Sequence, residues 1–360
     1  MMVEPLTRIS EHFLLADFLG NDSVYRKGLP NGMADDAATE LKLQNLSALC
    51  TQMLEPIMRD YGPLSISYGY ISPETSRKLV RYQDPDKPSH HRFDLGAAAD
   101  VCVHDWVRRT KVHLDDLFIP DSVRGSPIAM AHAIDMAGLP YSRLITYSES
   151  PFICVAASAQ EVDAGKPRKA FYENRFEGRA RAKPEYTSLS TDKARQRHFA
   201  KLQTEGLPAH WEGCGFPTYH GGGRKQYHHI RVSNYTMVSD WLIDLQSIAE
   251  GDPNPPELDL PEVQDAFAAA GIAYDLIREI AGVPRISITQ GYLNPKNRNF
   301  TKYNDWRTGM IRCTLSACDM GWINDLPEGI RLAEMGSEGA TVVINVKEML
   351  ERSIWQDYAS

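Results

Sequence analysis

A helical pattern, an alternating strand and a Gly-Tyr turn occur twice in this chain, in the same order. The first strand and turn read Gly62-Pro63-Leu64-Ser65-Ile66-Ser67-Tyr68-Gly69-Tyr70-Ile71-Ser72-Pro73. The second read Gly282-Val283-Pro284-Arg285-Ile286-Ser287-Ile288-Thr289-Gln290-Gly291-Tyr292-Leu293-Asn294-Pro295. Leu46, Leu49, Met53, Leu54 and Ile57 precede the first at helical spacing, and Phe267, Ile272, Leu276, Ile277 and Ile280 precede the second. Recurrence of three elements in one order points to a duplicated unit. The 360 residues fit about two domains.

Composition excludes several classes. With 42% hydrophobic and 24% charged residues, the chain has apolar material for real cores and does not read as disordered. No apolar run reaches the roughly 18 residues of a membrane span. Residues 1–17 lack the basic-then-apolar order of a secretory signal. The six cysteines form no C-x-x-C pair and read as reduced thiols, which implies a cytoplasmic protein.

Charge is uneven. Net charge is −8, yet residues 166–201 hold eleven Lys or Arg against four Asp or Glu. Such a segment is either a solvated loop or an electrostatic footprint for an anionic partner. Phe171, Tyr172, Phe176 and Tyr186 are interleaved with these cations. That mixture suits phosphate contacts combined with base stacking on a nucleic acid.

Local signals order the rest. Ser10 is placed to cap a short helix over residues 9–20, and a longer helix is expected over 39–61. Leu95–Val103 reads as a strand of small residues that lets another chain or a ligand approach its backbone. A helix is expected over 126–137, a strand over Phe152–Ala156 and a helix over 237–248. Gly251-Asp-Pro-Asn-Pro-Pro-Glu257 reads as the clearest linker.

Five of the eleven histidines, His198, His210, His220, His228 and His229, fall in one stretch. Within it Gly221, Gly222 and Gly223 precede Arg224 and Lys225. Exposed backbone N–H groups beside two cations, with His220 and His228 flanking, suit phosphate or carboxylate; a flexible hairpin tip has the same composition. If Tyr227–Val232 is a strand, His228 and His229 point to opposite faces.

Taken in order, a Ser-x-x-Phe opening, a long helix, Ile66-Ser-Tyr-Gly-Tyr-Ile-Ser-Pro73, Gly96-Ala-Ala-Ala-Asp100 and Leu139-Pro-Tyr-Ser-Arg-Leu-Ile-Thr-Tyr-Ser-Glu-Ser-Pro-Phe-Ile-Cys-Val155 form a pattern. It resembles the D-alanyl-D-alanine carboxypeptidase, or Hedgehog-type zinc peptidase, family, which includes phage cell-wall peptidases. The likeness covers about residues 8–158, with a weaker second pass over 258–350.

The resemblance implies an α+β fold of two tandem carboxypeptidase-like units, the second shortened. Its domains are 8–158, a segment 159–250 that completes the first domain, and a degenerate repeat 258–355. It also implies a zinc ion. Asp100 is the expected carboxylate ligand, and Glu149 falls where the family has its general base. The family's first histidine aligns with Phe93, but a two-residue shift lets His91 serve.

The family's last histidine aligns with Cys154, which is either a thiolate ligand or a small buried hydrophobe. His229 is the alternative if 159–250 is an insertion. Ile71 stands where the family has an arginine that contacts a substrate carboxylate. Ser316-Ala-Cys-Asp319 echoes the Asp100 motif, but no histidine follows His229, so the second copy is expected to be a scaffold.

Three functions remain open at this level. One is a remodelled relative that has lost peptidase chemistry and binds an anionic ligand or nucleic acid. Another is a zinc-dependent peptidase acting on cell-wall peptidoglycan peptides. The third is a structural virion protein, with the host cytoplasm or the virion as its place.

Overall fold

The computed structural model of the chain describes residues 1–79, 88–104, 127–147, 152–167, 169–175, 185–189, 230–258, 260–297, 310–316, 329–336 and 339–351, with scattered positions between 191 and 204 and at 326. It is a mixed α+β protein. Among the described residues no helix is long and apolar enough to cross a membrane. Two compact units emerge, and neither is continuous: one combines Ala37–Ile66 with Pro88–Gly213, the other Met1–Asp36, Ser67–Lys87 and Cys214–Ser360. The continuous spans 8–158, 159–250 and 258–355 expected from sequence do not coincide with them.

The first of these units is built on a sheet. In chain order its strands are β1 (Leu64–Tyr68), whose last two residues fall in the other unit, β2 (Ala97–Val103), β3 (Arg143–Tyr147), β4 (Ile153–Ala157), β5 (Ala170–Arg175) and β6 (Glu185–Ser188). Their spatial order is β1-β2-β4-β3-β5-β6. β4 pairs antiparallel with both β2 and β3, β3 pairs parallel with β5, and β5 antiparallel with β6.

The long helix expected before β1 runs as Thr39–Leu49, a π-helical turn Cys50–Leu54, and Glu55–Tyr61. Leu46, Leu49, Met53, Leu54 and Ile57 are all fully buried, as their spacing requires. Helices Thr39–Leu49 and Pro127–Met136 pack on the central strands. Truncating a leucine such as Leu46 would cost about 2–5 kcal/mol.

The other unit carries the duplication in a form the sequence reading did not anticipate. Its sheet has β7 (Ser287–Gln290), β8 (Met310–Ser316), β9 (Ile330–Gly336) and β10 (Gly339–Asn345) in the order β7-β8-β10-β9. Outside the sheet, residues 8–31 recur at a constant offset as residues 231–254. Arg8 bridges Leu14 as Arg231 bridges Met237. Asp17 accepts from the Leu14 N–H at 2.8 Å, and Asp240 from the Met237 N–H at 2.7 Å. Asn21 and Asp244 cap the next helices through the N–H groups of Val24 and Ser247. Those helices end at Gly28 and Gly251, both left-handed with φ of 61° and 76°.

The two copies meet reciprocally. The Asn31 N–H donates to the Ile248 carbonyl at 3.0 Å, and the Asn254 N–H donates to the Tyr25 carbonyl at 2.7 Å. A Cβ on Gly28 would lie 2.6 Å from Pro253, and one on Gly251 would lie 2.6 Å from Pro30. Each asparagine then organises its own Gly-Tyr turn. Asn31 donates Nδ2 to the Leu19 and Tyr70 carbonyls and accepts from the Ser72 N–H. Asn254 does the same with Leu242, Tyr292 and Asn294.

These contacts correct three expectations. Gly251–Glu257 is no linker, because Gly251 caps a helix and Asn254 is buried. The second copy starts at Arg231 rather than 258. Ser10 caps no helix; it lies in a turn closed by the Arg8–Leu14 bridge, and helical structure begins at Leu15.

The 21-residue helix Pro261–Ala281 also differs in detail. Phe267 and Ile277 are buried as their spacing requires, but the rest of the buried face is Ala266, Ala269, Ala270, Gly271 and Ala273, whereas Ile272, Leu276 and Ile280 are half-buried. A Cβ on Gly271 would lie 2.8 Å from Val232, so small residues let helix and turn approach closely.

Candidate metal centre

Strand periodicity assembles the site. Residues two apart on a strand share a face, so Ala98 and Asp100 on β2, Ile145 and Tyr147 on β3, and Cys154 and Ala156 on β4 form one surface. Registration fixes their row: Cys154 stands opposite Asp100 on one side and Ile145 on the other. The small side chains Ala98 and Ala156 leave room above the sheet beside the polar pair.

His91 arrives from outside the sheet. Ser89 caps the short 3-10 turn His90–Arg92 by accepting from the Arg92 N–H at 3.2 Å. Phe93 follows with a left-handed φ of 63° and is fully buried. A non-glycine residue in that region carries strain and needs support. Asn45 supplies it by donating Nδ2 to the Phe93 carbonyl at 2.9 Å. Phe93 is thus a core anchor, and the turn before it presents His91.

The three groups converge. His91 Nε2 lies 4.0 Å from Asp100 Oδ1 and 3.9 Å from Cys154 Sγ. The donor atoms of all three lie within 4.8 Å of one another, in a group able to hold a metal ion. Imidazole, carboxylate and thiolate are each good zinc ligands, so the donor chemistry fits the expected ion without singling it out from other transition metals.

Electrostatics holds both acids back from ionising. Burial pushes the Asp100 carboxyl up, against the opposing pull of His91, Cys154 and Tyr147. Burial also pushes the Cys154 thiol well above its ordinary range, and the Asp100 charge adds to this. Arg143 and a hydrogen bond with Tyr147 act the other way. A cation among these atoms would reverse the balance, since metal ligands bind in their deprotonated forms.

Of the residues expected from sequence, His91, Asp100 and Cys154 come together. Glu149, His229, His220, Gly221, Gly222, Gly223, Arg224, Lys225 and His228 lie outside the described residues. Tyr147 is the residue that sequence reading passed over. Its hydroxyl donates to Asp100 Oδ1 at 3.2 Å, and its ring packs on the Ala98, Ile145, Cys154 and Ala156 cluster. The alternation of β3 was the available signal, because a side chain two residues after Ile145 must share its face.

Models of protein families, curated proteins and solved structures were all compared with this chain, and none matches.

Proposed function

We propose that this protein is a remodelled relative of the D-alanyl-D-alanine carboxypeptidases that binds one transition-metal ion, zinc first among them, and has lost peptide hydrolysis. The observation that carries this reading is the convergence of His91, Asp100 and Cys154. A bound zinc supplies Lewis acidity and positive charge there. The chain's own groups do the rest: Asp100 and Cys154 release protons to become ligands, and the Ser89–Phe93 turn orients the His91 ring.

The loss of hydrolysis is inferred from the side chains around those ligands. A hydrolytic zinc needs a general base beside its water. Among the described residues of the cluster Asp100 is the only carboxylate and would itself be a ligand, while Glu149, the base that the resemblance implies, lies outside them. Tyr147 fills the adjoining place on β3. Ile71, where the family has its arginine, is buried and apolar. The anion-binding half of the proposal, with a nucleic acid or another anionic ligand on residues 220–225 and 228, rests on their composition.

The test is metal content of the purified full chain beside His91→Ala, Asp100→Asn and Cys154→Ser. About one ion per chain, lost in each variant, is the expected result. A metal-free protein that takes up no zinc on reconstitution would overturn the metal reading. Metal-dependent release of D-alanine from a D-alanyl-D-alanine peptide would overturn the loss of hydrolysis and restore the peptidase alternative.

A further inference from the structure

We infer that Tyr147 is the fourth protein ligand of this centre, so that its coordination sphere is closed by a phenolate and has no water-binding position. The inference rests on the metal reading above and adds a fourth donor beside the three ligands already named.

Ligand spacing is the first argument. In a tetrahedral site with metal–N and metal–O bonds of about 2.0–2.2 Å and a metal–S bond of about 2.3 Å, neighbouring donor atoms lie roughly 3.2–3.7 Å apart. The Tyr147 hydroxyl is 3.2 Å from Asp100 Oδ1. The His91–Asp100 and His91–Cys154 separations, 4.0 and 3.9 Å, need only a slight contraction to meet the same range. Tyr147 therefore already stands at a ligand-to-ligand distance.

Placement is the second argument. The Tyr147 hydroxyl donates to Asp100, and its side chain packs on the cluster that contains Cys154, so it stands beside two of the three ligands. Its ring is held by Ile145, Cys154, Ala98 and Ala156, so the hydroxyl is aimed by packing rather than by a mobile chain.

Chemistry is the third. A His, Asp, Cys and Tyr set has four donors and no open position, which is the condition of structural rather than hydrolytic zinc sites. A phenolate also binds harder cations than a second imidazole would. Such a four-donor set moves the centre away from water activation.

The test is spectroscopic and uses the full chain. Zinc is titrated into metal-free protein while ultraviolet difference absorption is followed for tyrosinate, and cobalt(II) is titrated in parallel for the thiolate charge-transfer band. The expected result is one tyrosinate formed per zinc bound at neutral pH, and its loss in Tyr147→Phe. The phenylalanine keeps the ring packing, and the cobalt thiolate band persists with affinity lowered about 10- to 100-fold or more. Stoichiometric zinc binding with a cobalt thiolate band but no tyrosinate signal in the unmodified protein would overturn this inference and leave the three-ligand site standing. Absence of any metal binding would overturn both. The unmodified protein's own spectrum decides the point even if the variant fails to fold.

Discussion

Arg285 and Asp17 are 268 residues apart in sequence and form a buried ion pair of 2.9 Å. Arg285 stands just before β7 in the second copy, and Asp17 lies in the first. Ser287 Oγ donates to the other Asp17 oxygen at 2.8 Å, so both carboxylate oxygens are occupied. Arg285 also lies 4.9 Å over the Phe13 ring and donates to the His12 carbonyl. Burial opposes the Arg285 charge, but Asp17 and its neighbours outweigh it, and the guanidinium is held charged more firmly than usual.

Breaking this pair from one side strands a buried charge. Arg285→Met and Asp17→Leu are each expected to destabilise the protein by about 3–5 kcal/mol. The double variant should lose less than the sum of the two. Urea unfolding midpoints of the four proteins measure this, and additive losses would show that the two charges are not coupled.

Asn31 and Asn254 should prove equally costly to replace. Each alanine variant leaves two carbonyls and one N–H in the protein interior without their side-chain partner, at roughly 1–3 kcal/mol for each buried group that stays unsatisfied. The expected losses are of similar size, because the bonds correspond one for one. A large loss at one and none at the other, by thermal or urea unfolding, would contradict their equivalence.

Gly28→Ala and Gly251→Ala test the reciprocal contact itself. Both positions have positive φ, and both Cβ atoms would press on a proline of the opposite copy. Each is expected to cost about 1–3 kcal/mol or more, measured as a fall in unfolding midpoint.

Asp275 gives a pH dependence with a definite sign. Burial raises its pKa to about 7, against hydrogen bonds from Ser233 and Asn234 and the charge of Arg278, while Glu279 adds slightly to the rise. The folded chain therefore binds more proton than the unfolded chain between about pH 4 and 7. This group's contribution to stability falls as pH rises through that window. Relative to Asp275→Asn, the unmodified protein should lose on the order of 1–3 kcal/mol from pH 4 to 7. Parallel stability curves for the two proteins would refute the assignment.

Zinc affinity should rise with pH, because Asp100 and Cys154 are both biased towards their protonated forms by burial. Each proton released on binding adds up to about tenfold in affinity per pH unit. Competition titrations at two pH values read this directly, and a pH-independent affinity would exclude thiol and carboxyl ligation.

Much of this structure was legible in the sequence where side-chain period and burial act together. The spacing of Leu46, Leu49, Met53, Leu54 and Ile57 marked the buried helix face without ambiguity. Asp100 and Cys154 were marked by motif order, and His91 by allowing a two-residue shift. What hid was the first half of the repeat. Arg8–Asn31 and Arg231–Asn254 are identical at seven of 24 positions, Asp17/Asp240 and Gly28-x-Pro-Asn31/Gly251-x-Pro-Asn254 among them, but those residues are scattered and form no hydrophobic period. The alanine face of Pro261–Ala281 hid for a related reason, because large apolar residues dominate a periodicity reading whereas close packing selects small ones. Tyr147 escaped because tyrosine on a strand carries no motif.

Because the Asn31 and Asn254 contacts are interchanged copies of one another, the joint is self-complementary, like the surface between two identical subunits related by a two-fold axis. A duplicated chain of this kind is a dimer written in a single reading frame. Such a dimer must change both partners with every mutation, but its fused form can change one at a time. Histidines are absent beyond His229, and Asp17 is paired with Arg285 although its own counterpart, Asp240, is retained and Arg285 stands where the first copy has Pro63. Fusion lets each half change while the joint between them is kept.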